Sequence, residues 1–162
     1  MESDIFYEIC DREGILVWQD FLFACGNYPG STDFIEQVKV EAEQQVKRVG
    51  YHARLVSYYY SMFLFATCLT FNSLVLWAGN NEDYMVKERW GWDDSNFPAA
   101  VIYEQVLPEI CARLAGDVPY WRSSPYGGAF ANDTTVGDTH CWDGMLLKFC
   151  SSSLQRVLKK KS

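Results

Sequence analysis

The architecture of this chain can be inferred outward from one stretch, Leu74-Val75-Leu76-Trp77-Ala78-Gly79-Asn80-Asn81-Glu82. An uninterrupted apolar run that ends at polar residues is typical of a strand buried in a parallel sheet. The last two side chains, Asn81 and Glu82, then lie just beyond the carboxyl end of that strand. In parallel α/β folds this is the edge at which sites are built.

The Asn81–Glu82 pair suits acid/base chemistry at that edge. A carboxyl group there can donate a proton when its surroundings raise its pKa, and the neighbouring amide can hydrogen-bond a substrate hydroxyl. This is what an acid/base catalyst of sugar hydrolysis needs. A Glu in the first turn of a helix is also favoured with no function attached, because it faces the positive end of the helix dipole. The two residues alone leave both interpretations open.

The flanking segments alternate between helical and strand patterns, which predicts an α/β fold with parallel strands. Helices are predicted at residues 4–12, from the Ser31-Thr32-Asp33 caps to Gly50, and from residue 96 to Gly116. A buried parallel strand is predicted at residues 15–18, and shorter strand-like pieces are predicted at 120–121 and near Val136. The predicted inward faces are Ile5, Phe6, Ile9 and Cys10 of the first helix, Phe34, Val38, Ala42, Val46 and Val49 of the second, and Ile102, Val106, Ile110 and Leu114 of the third.

The composition argues against several kinds of partner. With 162 residues and a formal net charge of −7, the chain lacks the clustered basic residues that a nucleic-acid partner requires. The six cysteines show no Cys-x-x-Cys spacing and no zinc-like pattern with His, so no metal and no cofactor is expected. The 16% of aromatic residues fits either sugar-binding platforms or a Trp-rich core. No secretory signal opens the chain, and a cytoplasmic location is expected.

The segment from Leu55 to Asn81 contains no charged residue and is long enough to span a bilayer. Its serines and threonines, three consecutive tyrosines and two closing asparagines make it only moderately apolar, so a membrane partner is not the favoured interpretation. The alternative to an enzyme is therefore a non-catalytic membrane-anchored or interaction protein that uses residues 55–77.

Five motifs occur in order along the chain and carry a family resemblance. They are Gly14-Ile-Leu-Val-Trp-Gln-Asp-Phe21, Ala24-Cys-Gly-Asn-Tyr-Pro29, Trp77-Ala-Gly-Asn-Asn-Glu82, Trp121-Arg-Ser-Ser-Pro125 and Gly137-Asp-Thr-His-Cys-Trp142. The chain resembles the β-mannosidases of glycoside hydrolase family 2, most of all their intracellular fungal branch, over residues 1–53 and 73–143. The resemblance implies that residues 1–143 are part of a (β/α)8 TIM barrel, about strands three to six. It also implies retaining hydrolysis of terminal β-D-mannose residues.

The resemblance also implies roles for single residues. Glu82 matches the general acid/base, and Asn81 matches the residue that contacts the sugar 2-hydroxyl. For Trp18, Asp20, Asp138 and His140, a place in the core or behind the ligand is an equal alternative to contact with the ligand. The implied partners are β-mannoside oligosaccharides or N-glycan core fragments. The full set implied in substrate binding is Asn81, Trp18, Asp20, Trp90, Trp121, His140 and Trp142.

The chain departs from the family in two ways. The family's nucleophile is a Glu in a later strand, whereas residues 144–162, a divergent basic tail, contain no Asp or Glu. The chain alone is therefore expected to be inactive. Residues 54–72 form an insertion that the family lacks, and we interpret them as a retained intron. Sequencing the transcript tests this, because a message that always carries these codons would contradict it.

Overall fold

The computed structural model describes residues 1–50 and 73–141. The insertion at 54–72, the tail and Trp142 lie outside the described residues. Helices and strands alternate along the described part. In chain order the elements are α1 (Asp4–Glu13), β1 (Val17–Asp20), α2 (Thr32–Val49), β2 (Leu74–Ala78), α3 (Asp83–Trp90), a 3-10 turn (Asp94–Asn96), a π-helical segment (Ile102–Val106), α4 (Leu107–Leu114) and β3 (Tyr120–Trp121).

The three strands form one parallel sheet in the order β1-β2-β3. β2 lies in the centre, where Ala78 pairs with Asp20 of β1 and with Trp121 of β3. Parallel neighbours need a crossover connection, and helical segments lie between each pair of successive strands in the chain. The prediction of an α/β fold with parallel strands is confirmed.

β2 supplies the middle of the core. Trp77 is fully buried and stacks on Phe21 at a centroid distance of 5.2 Å. Gly79 follows β2 and lies very close to residues 120–122, at the end of β3. A Cβ at this position would collide with the Tyr120 hydroxyl group and the Arg122 carbonyl oxygen. The absence of a side chain at Gly79 thus lets the polar turn after β2 lie tightly beside the end of β3.

α2 matches its prediction. It begins after Ser31 and ends before Gly50, and it packs against α4. An ion pair between Arg113 of α4 and Glu43 of α2, at 2.6 Å, joins the two helices on the solvent side. The predicted inward face is buried at Val38, Ala42, Val46 and Val49 and partly buried at Phe34.

α1 has its predicted position but a different buried face. Tyr7 and Cys10 are buried, and the Tyr7 hydroxyl hydrogen-bonds the Gln19 side chain of β1. That bond turns this side of the helix toward the sheet, so the predicted inward face is wrong except at Cys10. The residues of that face that are exposed instead are Ile5, Phe6 and Ile9.

Gly14 ends α1 in the left-handed conformation, with φ 68°, and its N–H donates to the Cys10 carbonyl group. A Cβ is strained in this conformation, so Gly14→Ala should lower the free energy of unfolding by about 1 kcal/mol. Gly14→Asn is the matched control, because Asn tolerates left-handed backbone and should lose less. Urea denaturation followed by circular dichroism measures both variants, and equal losses would contradict the conformational argument.

The strand predicted at residues 15–18 forms two residues later, as β1. Ile15, Leu16 and Trp18 are 52%, 69% and 45% exposed, so the prediction of a fully buried strand is wrong. β1 is at the edge of the described sheet and pairs with a neighbouring strand on one side, at β2. Ile15 and Leu16 precede β1, and Trp18 lines an open cleft.

The third predicted helix has the expected inward face. Ile102, Val106 and Ile110 are buried, and Leu114 packs at the margin of the core. Its first part is π-helical, which a 3.6-residue periodicity does not predict.

The strand predicted near Val136 is wrong. Residues 126–137 form successive turns, in which Gly127 and Gly137 have positive φ. The Asp133 carboxylate also accepts hydrogen bonds from two backbone N–H groups of the same loop. These left-handed positions are incompatible with an extended strand.

Candidate functional site

The sheet's hydrogen bonding continues past the strand ends and aligns three loops. Asn81 N–H donates to the Phe23 carbonyl group and Cys25 N–H donates to the Asn81 carbonyl group, both at 2.8 Å. On the other side, Glu82 N–H donates to the Ser124 carbonyl group at 2.7 Å. Cys25, Glu82 and Ser124 are therefore neighbours at the carboxyl edge of the sheet, although they are far apart in sequence.

Asn80 fixes the turn that carries Glu82. Its buried side chain accepts hydrogen bonds from the Ser123 hydroxyl at 2.7 Å and from the Asp83 N–H at 3.1 Å. Its amide donates to the Arg122 carbonyl oxygen at 3.1 Å. One side chain thus ties the turn both to the start of α3 and to the loop after β3.

Two residues other than glycine have left-handed backbone among the residues that the structure describes, Cys25 at φ 51° and Glu82 at φ 70°. Such conformations cost energy and persist where surrounding bonds impose them, and they cluster at functional sites. Both residues belong to the three loops that are aligned by backbone hydrogen bonds past the strand ends, and their side chains contact each other. The strain therefore marks the same edge of the sheet that the sequence predicted as a site.

The Glu82 side chain is largely buried and has a partner for each oxygen. It is 15% exposed, and its Oε1 lies 2.8 Å from His140 Nδ1. Its Oε2 accepts a hydrogen bond from the Cys25 thiol at 3.4 Å. Burial, followed by the bond to Glu82, raises the pKa of Cys25, so this thiol is a donor and not a thiolate at neutral pH.

His140 is held on its other side by Ser124. Its Nε2 lies 2.9 Å from the Ser124 hydroxyl oxygen, and that hydroxyl donates to Asp138 at 2.7 Å. The Asn132 amide accepts from the His140 N–H at 2.8 Å and donates to the His140 carbonyl oxygen at 2.9 Å. Ring and backbone of His140 are thus both fixed.

An open cleft of about 470 Å³ lies beside this cluster, lined in part by Trp18, Asp20, Asp138 and His140. Burial raises the pKa of Asp20, and the Trp18 indole N–H, which donates to Asp20 at 2.8 Å, works against that shift. The cleft therefore combines carboxyl groups with an aromatic wall.

Asp83 lies directly behind the site and is fully buried. It accepts hydrogen bonds from the Tyr103 hydroxyl and from the Gly26 N–H at 2.9 Å. Burial raises the pKa of Asp83 to about 6, although both bonds oppose the shift. It connects the loop that carries Cys25 to the start of α3.

The structure brings most of the predicted site residues to one edge. Trp121 donates through its indole N–H to Asp138 at 3.1 Å. Trp90 is different: it is the last residue of α3, is 70% exposed and has its ring contact with Trp92. Trp142 lies outside the described residues. The predicted residues that surround the cleft and its neighbouring loops are Trp18, Asp20, Asn81, Glu82, Trp121 and His140.

Sequence reasoning missed Cys25 and Asp83 as residues of the site. Cys25 contacts Glu82, and Asp83 holds the loop that presents it. Cys25 lies in the motif Ala24-Cys-Gly-Asn-Tyr-Pro29, which carries the resemblance but assigned it no role. The signal for Asp83 was its position alone, directly after Glu82.

Two absences hold for the described part of the chain. Within it, no group of three or more His, Cys, Asp or Glu side chains is arranged to hold a metal ion. None of its helices is both long enough and apolar enough to cross a membrane. Most of segment 55–77 lies outside that part.

No protein-family model matches the chain. β-Mannosidase B from Thermothelomyces thermophilus is 40% identical over 155 aligned residues, which take in 88% of this chain and 16% of that protein. β-Mannosidase B from Aspergillus terreus is 39% identical with the same shares. The chain is homologous to the β-mannosidases. The crystal structure of a β-D-mannosidase from Dictyoglomus thermophilum agrees: it matches with a TM-score of 0.66 at 42% identity, over 88% of this chain and 15% of that one.

The resemblance to β-mannosidases that the five motifs indicated is thereby confirmed. The chain spans about one sixth of the length of the curated β-mannosidases that it matches.

Proposed function

We propose that this chain forms part of the catalytic domain of a β-mannosidase and that Glu82 is its general acid/base. One observation carries the proposal: a largely buried carboxyl group stands at the carboxyl edge of a parallel sheet, 2.8 Å from His140. Identity of 40% to a β-mannosidase along 88% of the chain supports it.

In this proposal the described sheet belongs to a (β/α)8 barrel. β1, β2 and β3 would be strands three, four and five, and residues 138–142 would lead into strand six. The parallel order with a helical crossover between successive strands supports this assignment. Residues 1–143 would form the partial domain, with 54–72 as an insertion and 144–162 as a divergent tail.

Glu82 acts twice in the retaining reaction. First the protonated carboxyl group gives its proton to the glycosidic oxygen as the bond to mannose breaks. Then the carboxylate takes a proton from the water that attacks the anomeric carbon. The Glu82 side chain is 15% exposed, and its partner His140 lines the open cleft.

The cleft suits the charge of the reacting sugar. In the transition state of glycoside hydrolysis the sugar resembles a positively charged oxocarbenium ion. Carboxyl groups near the sugar, such as those of Asp20 and Asp138, favour this charge. Trp18 and Trp121, 45% and 36% exposed, offer apolar ring surface to a sugar. Asn81 is proposed to bind the 2-hydroxyl. Contacts of Trp90 and Trp142 with substrate rest on the resemblance alone.

The retaining mechanism also needs a nucleophilic carboxylate about 5–5.5 Å from the acid/base. The resemblance assigns that role to no residue of this chain. We therefore expect the isolated chain to bind β-mannosides, including N-glycan core fragments, without turning them over.

Binding and turnover of the purified chain test the proposal together. Methyl β-mannoside should shift the indole N–H NMR signals of Trp18 and Trp121, and methyl β-glucoside, its C2 epimer, should shift them much less. With 4-nitrophenyl β-mannoside as substrate, we expect no release of 4-nitrophenol. Equal shifts with both sugars, or none, would contradict a mannoside site, and steady turnover would contradict the missing nucleophile.

A further inference from the structure

A continuous run of hydrogen bonds connects Asp138 to Glu82 through two other side chains. The Ser124 hydroxyl donates to Asp138 at 2.7 Å and lies 2.9 Å from His140 Nε2, and His140 Nδ1 lies 2.8 Å from Glu82. We infer that Asp138 and Ser124 are positioning residues that keep a proton on Nε2, so that Nδ1 shares one proton with Glu82. The inference rests on the proposed acid/base role of Glu82.

The direction of these bonds is set at Asp138. Its Oδ1 accepts from the Trp121 indole N–H and from the Tyr126 backbone N–H, both at 3.1 Å. These two donors cannot reverse, so Oδ1 is an acceptor, and Ser124 gives its only proton to Oδ2 of the same carboxylate. Ser124 then offers only lone pairs to His140, so Nε2 has to carry the proton of that bond.

The consequence falls on Glu82. A neutral His140 with its proton on Nε2 has a lone pair on Nδ1, facing Glu82 Oε1 across 2.8 Å. One proton completes this bond, whether it resides on Glu82 or on His140. Its loss would either leave two lone pairs facing each other or force Ser124 to abandon Asp138. The hydrogen bonds from Asp138 through Ser124 and His140 therefore help Glu82 to retain the proton that a general acid has to donate.

The pair also has acidic neighbours. The Cys25 thiol donates to Glu82 Oε2 at 3.4 Å and can bond it in either protonation state. The titratable groups that face the pair are Asp20 at the end of β1, Cys25 in the loop after it, Asp83 at the start of α3, and Asp138.

NMR spectra of the histidine ring nitrogens test the inference without any substrate. The chain contains two histidines, so His52→Gln assigns the signals of His140. Between pH 5 and 8 we expect the proton on Nε2 to persist in the unmodified protein. In Ser124→Ala the acceptor that fixes the proton on Nε2 is gone, so the ratio of the Nε2–H to the Nδ1–H tautomer should fall about ten-fold, which corresponds to one hydrogen bond.

Two further variants separate this effect from a structural one. Ser124→Thr keeps the hydroxyl group and should restore the Nε2–H tautomer. Ser95→Ala removes an exposed hydroxyl that bonds Asp93 at 2.6 Å in the 3-10 turn, and it should leave the tautomer of His140 in place. An unchanged ratio of tautomers in Ser124→Ala would overturn the inference.

The tautomer of His140 in the unmodified protein tests the inference even if a variant fails to fold. A neutral His140 with its proton on Nδ1 and none on Nε2 would overturn the inference, whatever sugars bind. Conversely, an Nε2 proton in a protein that binds no β-mannoside would overturn the proposed function and leave the tautomer assignment intact.

Discussion

Glu82→Gln should slow cleavage of an unactivated β-mannoside by about 10²–10⁴-fold, the range that general acid/base catalysis contributes. The amide keeps the size of the side chain but has no proton to transfer. Because the isolated chain is expected to lack a nucleophile, the measurement needs a β-mannosidase in which residues 1–53 and 73–143 replace the aligned segment. The quantity to compare is kcat/KM for phenyl β-mannoside.

The leaving group distinguishes an acid from a residue that only supports the fold. Dinitrophenolate departs without protonation, so kcat/KM for 2,4-dinitrophenyl β-mannoside should fall less than about ten-fold. Glu109→Gln, an exposed change on α4, is the matched control and should alter neither rate. Equal losses with both leaving groups would contradict the acid role of Glu82.

Sequence patterns are sufficient where a residue's surroundings are set by its own element. The inward face of α2 follows from helical spacing, since Val38, Ala42 and Val46 lie on one side of any helix through these residues. The place of Glu82 follows equally from the apolar run before it. An apolar run of this kind predicts a buried strand, so the residues directly after it lie at the carboxyl edge of the sheet.

Patterns fail where the surroundings come from distant parts of the chain. Ile15 and Leu16 are apolar but exposed, because they lie in the link between α1 and β1 and outside the sheet. His140 and Cys25 contact Glu82 across 58 and 57 residues of sequence. Neither spacing nor propensity encodes such contacts. The family resemblance named both His140 and Glu82 as site residues, but not the hydrogen bonds that join His140 to Glu82 and to Ser124.

The buried carboxyl group of Asp83 should make the protein less stable as the pH rises. Its pKa is raised by burial to about 6, from 3.8 for an ordinary Asp. Below about pH 4 both the folded and the unfolded states hold the proton. Between about pH 4 and 6 the folded state binds it more tightly, so the free energy of unfolding decreases with rising pH. Two pKa units correspond to a loss of about 3 kcal/mol.

Asp83→Asn removes this titration and keeps the shape of the site. The amide oxygen can accept from the Gly26 N–H, and the amide nitrogen can donate to the Tyr103 hydroxyl oxygen. Relative to the unmodified protein, the variant should therefore gain about 3 kcal/mol between pH 4 and pH 7. Urea denaturation at both pH values gives this double difference, in which the other carboxyl groups cancel.

The control variant should respond in the opposite direction. Hydrogen bonds from the Ser95 hydroxyl and the Asn96 N–H lower the pKa of Asp93, an exposed carboxylate at the 3-10 turn. A lowered pKa stabilises the folded state above the unfolded pKa, so Asp93→Asn should lose stability relative to the unmodified protein as the pH rises. If Asp83→Asn shows the same sign as Asp93→Asn, the Asp83 carboxyl group is stabilised by its two donors more than burial opposes its charge. The loop that carries Cys25 would then be held to α3 by an ionised group at neutral pH.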